Sequence, residues 1–191
     1  MPLTLNTNSL TIPTVETSAV AAPDIGAYEF ISEIVSTDAS TVDFSNVFTT
    51  TYDVYKMTCT NVGGSVNGTS YKALYESGGS FTDFNYYARV NATNPPVFAY
   101  GSGNAFTINQ NNSGSDAQRM NFTITIYNPL STNAKHAVFN GSGYSGFSGI
   151  PVNKIDAVLQ AYTTNDVTGI QIKPNSGTIQ GTYRLYGLSK T

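Results

Sequence analysis

Between Arg119 and Asn128 the chain alternates without a fault. Met120, Phe122, Ile124 and Ile126 fall on one parity, and Asn121, Thr123, Thr125 and Tyr127 on the other. A period of two sustained this long belongs to a strand with one face in a core and the other outside it. In a helix the same apolar residues would be scattered around the circumference. The threonine-bearing face suits either solvent or a polar interface. Similar alternation recurs in Tyr28–Val35, Tyr52–Val62, Tyr71–Glu76, Phe84–Val90, Lys135–Asn140, Ile155–Thr163, Ile170–Lys173 and Gly181–Leu188, with shorter pieces at Val42–Phe44, Val97–Tyr100 and Ala105–Asn109. Helical periodicity nowhere persists beyond about two turns.

The connections carry turn chemistry. Pro174-Asn175-Ser176-Gly177 combines a fixed φ with two residues that tolerate φ > 0, which predicts a hairpin joining the last two strands. Asn67-Gly68 predicts a second hairpin, with Tyr71–Glu76 as its returning strand. Ser77-Gly78-Gly79-Ser80 closes that strand. Tyr28–Val35 reads as the first core strand, with Tyr28, Phe30, Ser32 and Ile34 on one face. Charged residues are only 11% of the chain, against about 25% in an average soluble domain. The polar surface must therefore be built from Ser, Thr, Asn and Gln, which suits short strands and exposed turns. About ten strands at this spacing predict an all-β chain, a jelly-roll-like antiparallel β-sandwich.

Residues 1–26 differ from the remainder. They hold Pro2, Pro13 and Pro23 and only two charged residues, with alternating pieces at Leu3-Thr4-Leu5 and Leu10-Thr11-Ile12. Such a segment can be strand only when paired with something else. The expectation is an extended arm (1–26) ahead of a sandwich domain (27–191), the arm ordering on a neighbouring subunit's sheet edge. Leu3, Leu5, Leu10, Ile12 and Val15 are its candidate contacts.

Charge and composition exclude several classes of function. Net charge is −3, and no Lys or Arg precedes Lys56. Phosphate-backbone binding needs clustered basic residues, so a nucleic-acid partner is not expected. No apolar run approaches 18 residues, so no membrane span is expected, and without a basic N-terminal region neither is a signal peptide. Cys59, the sole cysteine, excludes an intrachain disulfide and reads as a core thiol beside Tyr55 and Met57. His136, the sole histidine, lies within a strand and reads as a structural or surface residue. One His and one Cys build no zinc site, and no nucleophile elbow, Walker motif or EF-hand spacing occurs. The expectation is a protein without enzymatic activity, metal or cofactor. Two loops could touch a receptor: the polar stretch 109–115, with Asn111 and Asn112, and the Gly/Ser loop 141–149, with Tyr144 and Phe147.

Two stretches carry a resemblance. VTGIQIKPNSGTIQGTYRLYGL (Val167–Leu188) is similar to the ending, and EFISEIVSTDASTVDFSNVFTTTYDVY (Glu29–Tyr55) to the opening, of β-sandwich modules in virion proteins of tailed bacteriophages. The resemblance implies a location on the virion exterior. It points to a capsid decoration (cement) protein bound to the major capsid protein, or else to a tail or tail-fibre component contacting a host-surface glycan. Three-fold sites on capsids, with that resemblance, make a homotrimer the expected assembly.

Overall fold

The computed structural model describes residues 27–66, 69–90, 97–101, 107–109, 119–133, 135–143, 153–161 and 163–189. Its strands are β1 (Tyr28–Ala39), β2 (Val42–Phe44), β3 (Tyr52–Gly64), β4 (Ser70–Ser77), β5 (Ser80–Asp83), β6 (Asn85–Val90), β7 (Val97–Gly101), β8 (Thr107–Asn109), β9 (Met120–Tyr127), β10 (Lys135–Gly143), β11 (Asn153–Ala161), β12 (Val167–Pro174) and β13 (Ile179–Ser189). They form two antiparallel sheets. The larger runs β1-β13-β3-β9-β10-β11-β6-β7; the smaller runs β2-β12-β4-β5, with β8 also pairing β4.

This order is a jelly roll. One sheet holds β1, β13, β3 and β9 side by side, the other β2, β12, β4 and β5. The chain changes sheets from β1 to β2, from β3 to β4 and from β12 to β13, as two interlocked Greek keys require. Strands β10, β11, β6 and β7 extend the first sheet beyond β9. The core lies between the sheets. Tyr55, Met57 and Cys59 of β3, Phe122, Ile124 and Ile126 of β9, and Tyr183 and Leu185 of β13 face Tyr71 and Ala73 of β4 and Ile170 and Ile172 of β12. Each set comes from one parity of its strand, so the period-two pattern translates directly into burial.

Three expectations change. The Pro174–Gly177 turn is not a hairpin: β12 pairs with β2 and β4, while β13 pairs with β1 and β3. The turn arches from one sheet to the other, carrying Gly177 at φ 72°. Likewise β3 and β4 lie in different sheets, so no hairpin joins them across Asn67-Gly68. The real tight hairpin is at Gly78-Gly79. These residues sit at φ 59° and 77° and return the chain from β4 into β5, a strand that alternation in the sequence does not mark.

The third change concerns β1, which is an edge strand and mostly exposed. A bulge between Phe30 and Ser32 breaks its alternation. Tyr28 and Phe30 therefore face outward with Glu33 and Val35, while Ser32 and Ile34 turn inward opposite Leu185 and Tyr183.

Candidate functional site

Two places on the body carry surface chemistry that the core does not need. The first is the outer face of the larger sheet. Register aligns Tyr28, Leu188, Val54 and Tyr127 in one cross-strand row, Phe30, Tyr186, Lys56 and Thr125 in the next, and Glu33, Arg184, Thr58 and Thr123 in a third. The threonines of β9 thus meet threonine and lysine neighbours on β3. Toward β1 the face becomes aromatic. Phe30 is 61% exposed and meets Tyr186 edge-on, with ring centroids 5.9 Å apart. Val35 is 64% exposed. Lys56 holds its ammonium 5.2 Å from the centre of the Tyr28 ring, and Arg184 pairs with Glu33 at 2.6 Å. Lys56 thus covers the Tyr28 ring, while much of Phe30 and Val35 stays exposed. Beside them the outer edge of β1 has no strand partner among the described residues.

The second place is a cleft of about 310 Å³ at one end of the sandwich, lined by Thr49, Thr50, Tyr52, Asp53, Asn128, Pro129, Leu130 and Ser131. Its walls are pinned. The buried Tyr55 hydroxyl accepts the Thr49 N–H at 2.7 Å and donates to the Thr49 carbonyl at 3.0 Å. The Asn128 N–H donates to the Asp53 carbonyl at 2.7 Å, the Ser131 N–H to the Asn128 carbonyl at 3.0 Å, and the Val167 N–H to the Pro129 carbonyl at 3.0 Å. Asn128 holds φ 45°, a left-handed conformation that Asn tolerates better than most side chains. The Tyr52 hydroxyl donates to the Glu29 carboxylate at 2.6 Å, which raises its pKa above the ordinary value. Its ring stands edge-on to Tyr55 at 5.7 Å.

The arm residues Leu3, Leu5, Leu10, Ile12 and Val15 lie outside the described residues, as do the loop residues Asn111, Asn112, Tyr144 and Phe147. His136 is exposed on β10, in register with Tyr127 and Gln160. Cys59 is fully buried, and burial pushes its thiol up. Among the described residues no group of three His, Cys, Asp or Glu could hold a metal. The sequence marks the threonine face of β9 as outward but neither the aromatic side of that sheet nor the cleft. Tyr28 and Phe30 looked like core because their alternation is intact in the sequence, and only the bulge turns them out. Thr49–Asp53 and Asn128–Ser131 read as separate turns, since nothing local brings them together.

Neither a family model nor a curated protein nor a solved structure matches the chain.

Proposed function

We propose that the chain is an exterior structural protein of a phage virion: a capsid decoration (cement) protein that binds the coat lattice through residues 1–26 and an oligomeric sandwich. The observation that carries this reading is the open edge of β1. It runs twelve residues, has no Pro and places Phe30 and Val35 in solvent beside it. An edge that no strand among the described residues pairs, with apolar neighbours beside it, is a template for strand addition from another chain. Leu3 with Leu5 and Leu10 with Ile12 alternate as two short strand pieces do, and with Val15 they are the candidate contacts from a neighbouring copy in a homotrimer. The jelly-roll topology is common in viral capsid and lectin domains, which supports the reading by analogy of fold alone. In this role the body is a scaffold and performs no catalysis.

The end cleft favours a second reading, a tail or tail-fibre component that contacts host glycan. Quantitative mass spectrometry of purified particles separates the two. A copy number approaching that of the major capsid protein supports decoration, and one far below it supports the tail. Deleting Met1–Pro23 is expected to leave the sandwich folded and to abolish attachment to particles. A truncated chain that still binds them would rule out the arm.

A further inference from the structure

We infer that the end cleft between Thr49–Asp53 and Asn128–Ser131 is a carbohydrate-binding subsite for a neutral mono- or disaccharide. The inference deepens the second reading above and does not depend on how the protein is mounted on a particle.

Size comes first. Small-molecule sites occupy about 300–1,000 Å³, and a cleft of about 310 Å³ sits at the lower end, enough for one or two sugar rings. The lining then selects the chemistry. Pro129 is buried, Leu130 and Tyr52 are half-buried, and together they supply apolar floor and wall. Thr49, Thr50, Asp53 and Asn128 are exposed around them, with Ser131 beside Leu130. A pyranose has the same division: a C–H face that packs on apolar surface and a rim of hydroxyls that both donate and accept. Hydroxyl, carboxylate and carboxamide side chains provide both functions within a small area. A drug-like apolar ligand would cover this polar rim without offering it hydrogen bonds, at a cost in affinity. Among the described residues the lining contains no Lys or Arg, which disfavours a phosphate or other anion.

Rigidity is the second argument. Sugar affinity is weak per contact, so little binding energy is available for ordering a loop. Here the ordering is already done. Both backbone groups of Thr49 are held by Tyr55, Asn128 is tied to Asp53, and Pro129 is tied to Val167. The Tyr52 ring is fixed at two points, by Glu29 through its hydroxyl and by the edge-on contact with Tyr55.

The test is an amide NMR titration of the isotope-labelled full chain with glucose, galactose, N-acetylglucosamine and lactose. Saturable shifts are expected at Thr49–Asp53 and Asn128–Ser131, with a dissociation constant on the order of 1 mM for at least one sugar. Asp53→Ala should weaken binding about tenfold. Asn128→Gly suits the backbone conformation and removes only the carboxamide, so it should weaken binding while leaving Tm unchanged. Tyr52→Ala, which removes the ring from the wall, should lose binding. No saturable shift with any of the four sugars overturns the inference, as do shifts unaffected by Asp53→Ala and Asn128→Gly. Because the isolated chain is used, either result leaves the particle-attachment experiment to stand separately.

Discussion

Lys135 donates from Nζ to the backbone carbonyl of Asn165 at 2.6 Å. The same ammonium reaches the Thr163 carbonyl at 2.8 Å. Lys135 opens β10 and is only 2% exposed, so a buried cation holds the chain where it leaves β11 for β12. Burial lowers its pKa, and Asp166 partly offsets that. Hydrogen bonds to a charged group contribute about 1.5–3 kcal/mol each in favourable cases. Lys135→Ala is expected to lower unfolding free energy by about 2 kcal/mol, measured by urea denaturation. A change below about 0.5 kcal/mol, the range of an ordinary surface substitution, would remove the clamp from the account.

Gly169 allows a different contact. A Cβ there would run into the backbone carbonyl of Phe44 and the carboxylate of Glu76. That carboxylate also accepts the Asn46 N–H at 2.9 Å and the Thr168 hydroxyl at 3.1 Å, holding the segment after β2 against β12. Glycine in a strand where another backbone approaches cannot be enlarged cheaply. Gly169→Ala is expected to cost about 3 kcal/mol. A variant melting with the parent would show that the β2 side yields.

The core makes a strong prediction at Ile124, fully buried in the middle of β9. Ile124→Ala is expected to destabilise by about 3–4 kcal/mol through lost transfer energy and a residual cavity. Thr123→Ala, on the outer face one residue away, is expected to stay within about 0.5 kcal/mol. Equal effects at the two positions would contradict the assignment of faces.

Alkaline pH should unfold the sandwich cooperatively. Burial raises the hydroxyls of Tyr71 and Tyr183 well above the ordinary 10.0 and the Cys59 thiol above 9.0. A group with a raised folded pKa contributes stability that is complete below its unfolded value. That stability is lost as pH climbs toward the folded value, because the unfolded chain releases its protons first. Stability is therefore expected to hold up to about pH 9 and fall steeply above pH 10. Circular dichroism and tyrosinate absorbance should change together. Complete tyrosine ionisation without loss of structure would show that these side chains are not buried.

On the outer face, Phe30→Ser and Val35→Ser together should cost the monomer no more than about 1.5 kcal/mol, since both side chains are exposed and the Phe30–Tyr186 ring contact is lost. They should reduce self-association, read as the mass of the particle in solution. An unchanged assembly would move the contact away from the β1 edge.

The strands themselves were legible. β9 and β13 follow from alternation alone, and their inward residues are the ones buried, because side-chain direction in a strand depends only on parity. β12, by contrast, also buries Gln171 of its other face, against Asp43 of β2. The outward turn of Phe30 was not legible, since one inserted residue at a bulge reverses parity and leaves no compositional mark. Both surface places depend on segments distant in sequence. Asp53 and Asn128 meet because β3 and β9 are paired, a fact no window around either residue contains.

What the sequence determined by itself was the class of structure: strands of period two, turns of Gly, Pro and Asn, and a core of the alternate residues. Tertiary structure alone decided which sheet each strand joins. Gly78-Gly79 and Pro174–Gly177 are both good turn sequences, yet one closes a hairpin and the other arches between sheets. A turn sets the local reversal of the chain. Whether the next strand pairs with its predecessor or crosses to the opposite layer depends on which edge can bury its apolar face, and distant strands supply those edges.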